Sequence, residues 1–125
     1  MAFELQKLLW IAVAGGAGSA GRYAVALAVQ RASGWSVFPI GTLTVNVLGS
    51  FVLALVAFGG VGGTAGLLLG TGLAGSFTTF SSFSYETVRL WETGERCRAA
   101  VNAVSSILGA VLAIGLARAL LAVAA

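Results

Sequence analysis

Apolar residues run through this chain in long unbroken stretches rather than in alternation. Between Arg31 and Glu86 no Lys, Arg, Asp or Glu occurs. A helix crossing the ~30 Å hydrocarbon layer needs about 20 apolar residues, so residues 32–85 hold two spans and a connection. Pro39 opens the first of them, and the cluster Gly59-Gly60-Val61-Gly62-Gly63 closes it. Residues 99–117 are free of charge between Arg98 and Arg118 and make another span. One more runs from Leu5 to about Gln30, interrupted only by Arg22. The pattern predicts an all-α membrane protein with helices over about 5–30, 40–60, 65–90 and 99–121. These form a single four-helix transmembrane domain over 1–125.

Composition narrows the class further. Hydrophobic residues make up 58% of the chain and charged ones 9%, against about a quarter charged in a soluble domain. There is no His and no Asp, the acids are Glu4, Glu86, Glu92 and Glu95, and Cys97 is the single cysteine. Ser-His-Asp triads, zinc sites, EF-hand loops and disulfide frameworks therefore have no material, and an enzyme is not expected. The rival reading of the first span is a cleaved signal peptide. Glu4 and Lys7 cancel where such a peptide carries a basic start, and the apolar pattern runs on toward Gln30.

Charge also bears on orientation. Four spans place both chain ends and the 61–64 turn on one side, near Lys7 and Arg118, and Arg31, Arg96 and Arg98 on the other. Three basic residues against two is a weak bias, which permits insertion in both orientations. The net charge of +3 is spread along membrane edges and forms no phosphate-tracking patch, so no nucleic-acid partner is expected.

Two G-x-G-x-x-G strings occur, Gly16-Ala17-Gly18-Ser19-Ala20-Gly21 and Gly70-Thr71-Gly72-Leu73-Ala74-Gly75. A dinucleotide site needs such a string after a strand, with an acid about 20 residues on. No acid follows the first until Glu86, and the second lies within an apolar span. These glycines serve instead as points where helices approach closely.

Polar residues recur at helical spacing. Gly15, Gly18, Ser19 and Arg22 share one face of the first span; Thr42, Asn46, Gly49 and Ser50 share one of the second; Asn102, Ser105, Ser106 and Gly109 share one of the fourth. Each stripe alone reads as helix packing. Together, with two amides that are costly to bury unbonded, they suggest a shared polar path. The third span reads Gly75-Ser76-Phe77-Thr78-Thr79-Phe80-Ser81-Ser82-Phe83-Ser84. So many hydroxyls suit a helix broken near its centre, with carbonyls freed from the ladder, buried in protein or lining a cavity. Freed carbonyls hold a small cation and hydroxyl donors an anion. Phe80 and Phe83 lie on one face; such a pair serves as core, or turns its weakly positive ring edges toward an anion.

Three stretches now stand in order: residues 15–23 ending in Arg22-Tyr23, then Gly41-Thr42-Leu43-Thr44-Val45-Asn46, then residues 75–86 ending in Tyr85-Glu86. Together they resemble the Fluc/CrcB fluoride channels, and the resemblance covers all four spans. It implies an antiparallel, dual-topology homodimer in the bacterial inner membrane, with two pores that export cytoplasmic fluoride passively. It implies a central structural sodium ion on main-chain oxygens of Gly75 and Thr78. Phe80 and Phe83 would line the pores with their edges and Asn46 would donate to the ion, with Thr79, Ser82 and Ser106 extending the polar track. Arg22 and Glu86 match positions near the aqueous entrances. For Arg22 a snorkelling side chain is the other reading. The chain departs from the family in two places. Ser82 replaces a usual Thr, and Asn102, Ser106 and Ala110 stand where an aromatic hydroxyl and two serines are common on the fourth helix.

Two other functions compete. A small multidrug-resistance-like, proton-coupled exporter needs a carboxylate within its first helix, and here residues 5–85 hold no acid. A non-conducting membrane accessory subunit would leave the polar faces idle, so that Asn46→Ala or Phe80→Ile changed no ion flux.

Overall fold

The structure is a computed structural model and describes residues 2–124. They fold into four helical segments, with no strand among the described residues. Helix α1 spans Ala2–Ser33 and α2 spans Ile40–Phe58. The third segment is composite. It comprises α3 (Gly63–Gly66), a π-helical stretch (Leu67–Ala74), α4 (Gly75–Phe77) and, beyond Thr78 and Thr79, α5 (Phe80–Glu92). The last helix, α6, spans Arg96–Ala124. Both α2 and α6 are long and apolar enough to cross a membrane. The 32 residues of α1 rise about 48 Å, more than the hydrocarbon core requires.

The turns have local causes. Pro39 precedes α2 and offers no capping side chain. Gln30 supplies the missing contacts from α1: its Oε1 accepts from Gly41 N–H at 3.1 Å, and its Nε2 donates to the Phe38 carbonyl at 3.0 Å and to that of Trp35. Between α5 and α6, Glu95 N–H bonds Leu90 O and Gly94 N–H bonds Trp91 O. That is a Schellman closure, which needs a left-handed residue, and Gly94 has φ +87°.

Packing is inside out relative to a soluble bundle. The buried apolar residues are mainly small, including Ala54, Ala74, Ala99, Ala113 and Ala117, while large ones such as Leu8, Trp10, Ile107 and Leu112 face outward. Small residues inside and bulky ones outside suit a bundle solvated by lipid tails. Helix α2 packs chiefly on α6, α1 on the π-helical stretch, α2 and α4, and α5 on α6. Glycine makes the closest of these contacts possible. A Cβ on Gly18 would stand 2.3 Å from the Leu73 carbonyl oxygen, and one on Gly49 would stand 2.3 Å from Thr78 Cγ2. These two glycines press α1 and α2 against the stretch that leads to Thr79.

Candidate functional site

Thr78 and Thr79 adopt extended backbone, with φ/ψ of −81°/159° and −149°/114°. Leaving the helical ladder exposes main-chain polar groups that must find partners away from water. Asn46 meets two of them. Its Oδ1 accepts from Thr79 N–H at 2.7 Å and its Nδ2 donates to Thr79 O at 3.0 Å. In a continuous helix that Thr79 N–H would bond the Gly75 carbonyl, so the Asn46 pairing sets that oxygen free of the ladder. The Thr78 hydroxyl donates to Gly75 O at 3.2 Å, and the Arg22 guanidinium donates to Thr78 O at 3.3 Å.

Thr79 also starts α5. Its side-chain oxygen accepts from Ser82 N–H at 3.2 Å, an N-cap contact. The same hydroxyl donates to Ser82 Oγ at 3.1 Å and lies 3.3 Å from Ser81 Oγ. Thr79 itself is buried, while Phe80 beside it is 80% exposed, the ring standing off the side of the single chain. The Phe80 and Phe83 rings are 5.8 Å apart between centroids and tilted by 44°. Cap, hydroxyls and paired rings thus occupy one turn at the head of α5.

One turn further on, Glu86 Oε1 accepts from the Thr42 hydroxyl at 2.8 Å, and its Oε2 is buried without a partner. Gln30, Phe38, Glu86 and Arg89 contribute to the lining of a recess of about 500 Å³ at this end of the bundle. Ser106 Oγ, on α6, is likewise buried without a partner. Ala110 brings no polar atom. Asn102 is buried and donates from Nδ2 to Thr87 Oγ1 at 2.9 Å. It is turned to α5, not along an open path.

The structure therefore brings Asn46, Gly75, Thr78, Thr79, Ser82, Phe80 and Phe83 into one neighbourhood. Arg22, read from sequence as an entrance residue, reaches the same turn through the Thr78 carbonyl, apart from Glu86. Gly75 and Thr78 carbonyls are neutral, hard oxygen donors, which fits a small monovalent cation. Two oxygens are a partial shell, and each already accepts one hydrogen bond.

Three contributors escape sequence reasoning: Gln30, Thr42 as the partner of Glu86, and Thr87. Pro39 without a polar residue before α2 hints at a cap from elsewhere, which is the one signal for Gln30. Thr87 follows Phe83 by four residues, the spacing of a hydroxyl that bonds back to the preceding turn.

Residues 9–118 match the family described as CrcB-like protein, Camphor Resistance (CrcB). A Haloarcula marismortui protein named fluoride-specific ion channel FluC 2 is 57% identical over 105 residues, covering 83% of this chain and 85% of that protein. A Streptomyces avermitilis protein named fluoride-specific ion channel FluC 1 is 46% identical over 113 residues, 83% of this chain and 90% of its own length. A Natronomonas pharaonis protein named fluoride-specific ion channel FluC 2 is 42% identical over 116 residues, 93% and 95% of the two chains.

Proposed function

The chain belongs to the CrcB family, a family of membrane ion channels and not of enzymes, and from that premise we propose that it is a fluoride channel. Fluoride moves passively down its gradient, out of the cytoplasm and across the bacterial inner membrane. Two copies in antiparallel, dual topology enclose two pores, and the whole chain is one four-helix transmembrane domain whose third helix is broken near its centre.

The observation that carries this reading is the head of α5. There an extended Thr78–Thr79 pair clamped by Asn46 leads directly into clustered hydroxyls and the Phe80–Phe83 rings. A small, strongly hydrated anion needs its water replaced by donors. A fixed lysine would hold it too tightly to conduct, since binding must be loose enough for release. Weak donors in series avoid that trap. The hydroxyls of Ser82 and Ser106 and the second N–H of the Asn46 amide are such donors, with Thr79 giving its own proton to Ser82 and so leaving the Ser82 proton free, and aromatic edges carry a slight positive charge. Phe80 and Phe83 line the path, and Arg22 and Glu86 set the electrostatics of its approaches. The strong exposure of Phe80 in a single chain supports a second copy closing over it. The Gly75 and Thr78 carbonyls of both copies would hold a structural sodium ion, which supplies charge that ties the copies together.

The test is efflux from fluoride-loaded phospholipid vesicles followed with a fluoride electrode. Release well above that from empty vesicles is expected, and Phe80→Ile and Phe83→Ile should each slow it sharply. Release no faster than from empty vesicles would overturn the proposal. Cysteine crosslinking that captured only parallel pairs would overturn the antiparallel arrangement.

A further inference from the structure

Asn102 and Val45 are the largest side chains of the described residues that are almost wholly withdrawn from the surface, and Asn102 is 1% exposed. A second copy can only cover the chain further, so an ion moving along the outside of one protomer does not reach this amide. Its bonds run inward. Asn102 Nδ2 donates to Thr87 Oγ1 at 2.9 Å, and the Thr87 hydroxyl donates to the Phe83 carbonyl at 2.7 Å. A threonine hydroxyl has one proton and two lone pairs. With that proton on Phe83, the oxygen accepts from Asn102, and the amide orients the hydroxyl. A buried amide left without this partner would carry its full desolvation penalty, which makes the pairing restrictive.

The relay therefore runs from α6 to the main chain of the residue that carries one of the two rings. Between its N-cap, held by Asn46, and the buried Leu90, helix α5 has few side-chain bonds to define its rotation. It packs on α6 and barely on α2, and Phe80 and Tyr85 point outward. Its other side-chain links among the described residues are the Thr42–Glu86 bond and, at the far end, the Arg96 guanidinium 5.2 Å over the Trp91 ring. Bonds at Glu86 and Thr87, to helices on different sides, fix the rotation of the turn in which Phe83 sits.

We infer that Asn102 is a positioning residue: acting through Thr87, it sets the direction of the Phe83 ring and does not itself touch the permeating ion. The inference rests on the fluoride-channel reading for its functional consequence.

The test uses the full chain in phosphatidylcholine–phosphatidylglycerol vesicles, with fluoride and chloride efflux measured for N102L, T87V, the double variant and T87S. Both single variants should lose about tenfold in fluoride rate, as for a lost buried hydrogen bond acting on the path. Both should also lower the fluoride-to-chloride ratio, which a general loss of folded protein would not move. The double variant should be no slower than either single one, and T87S, which keeps the hydroxyl, should recover most of the rate. A slow N102L beside an unaffected T87V, or losses that multiply in the double variant, would overturn the inference. A second readout is independent of conduction. With 4-fluorophenylalanine at position 83, the fluorine resonance should shift between the unaltered chain and T87V, and coincident resonances would overturn the inference. Should the unaltered chain release no fluoride, the channel reading fails, and the resonance comparison still decides the positioning role.

Discussion

The two halves of the third helical segment are held in opposite ways. Residues 63–77 are held by closeness: Gly18 on α1 and Gly72 on the π-helical stretch let backbone lie almost against its neighbour. A Cβ on Gly72 would come within 2.8 Å of that of Ala14. Residues 80–92 are held by directed bonds from α2 and α6, Thr42 to Glu86 and Asn102 to Thr87, with little close packing on α2. Asn46 stands at the junction and bonds the residue where one regime yields to the other. Dispersion between close backbones gives a rigid floor without direction, whereas hydrogen bonds select one rotation of a helix. A path that must present ring edges and hydroxyls needs the second kind.

The comparison is broken most severely at the junction. Asn46→Leu leaves Thr79 N–H and C=O buried and unpaired, at about 1–3 kcal/mol each, and fluoride efflux should fall by more than about tenfold. Efflux within about twofold of the unaltered chain would remove Asn46 from its place in the account. Next comes the packed half. Gly18→Ala forces α1 away from Leu73, an overpacking cost of about 1–3 kcal/mol, visible as a lower thermal midpoint. Its fluoride-to-chloride ratio should stay unchanged in the protein that survives. In the hydrogen-bonded half, Thr42→Val removes the partner of Glu86 Oε1, at about 1–3 kcal/mol. Here the flux should drop several-fold and the fluoride-to-chloride ratio should fall with it, the ratio that Gly18→Ala leaves unchanged. The smallest effect belongs to the surface. Arg98 pairs with Glu95 at 3.4 Å, with both side chains about half exposed. Arg98→Gln should alter stability by less than about 0.5 kcal/mol and leave efflux untouched.

Much of this architecture is legible before folding. Charge-free runs as long as a bilayer is thick have few other uses, so four helices follow from where Arg22, Arg31, Glu86, Arg98 and Arg118 stand. The hydroxyl-rich residues 75–84 declare themselves poor material for a regular lipid-facing helix. That Thr78 and Thr79 are the extended pair is not legible, because it depends on Asn46, more than 30 residues away in the chain, matching both polar groups of one peptide residue. Arg22 shows the same limit. Its position in α1 allows it to snorkel outward or to turn inward, and only the packing of α1 on α4 brings Thr78 O within its reach. Asn102 has the sequence spacing of an ion-facing residue, yet its partner lies on α5. Faces can be read from periodicity, but the group a side chain meets is decided by how helices rotate against each other.

On the proposed reading, the head of α5 passes fluoride and holds back larger anions because its donors are weak and gathered on one turn beside the two rings. Matched vesicles loaded with potassium fluoride or potassium chloride, with efflux started by a potassium ionophore, test it most directly. The account predicts fluoride release faster than chloride release by more than about a hundredfold, a difference in barrier of at least ~2.7 kcal/mol. Equal rates for the two anions would contradict it.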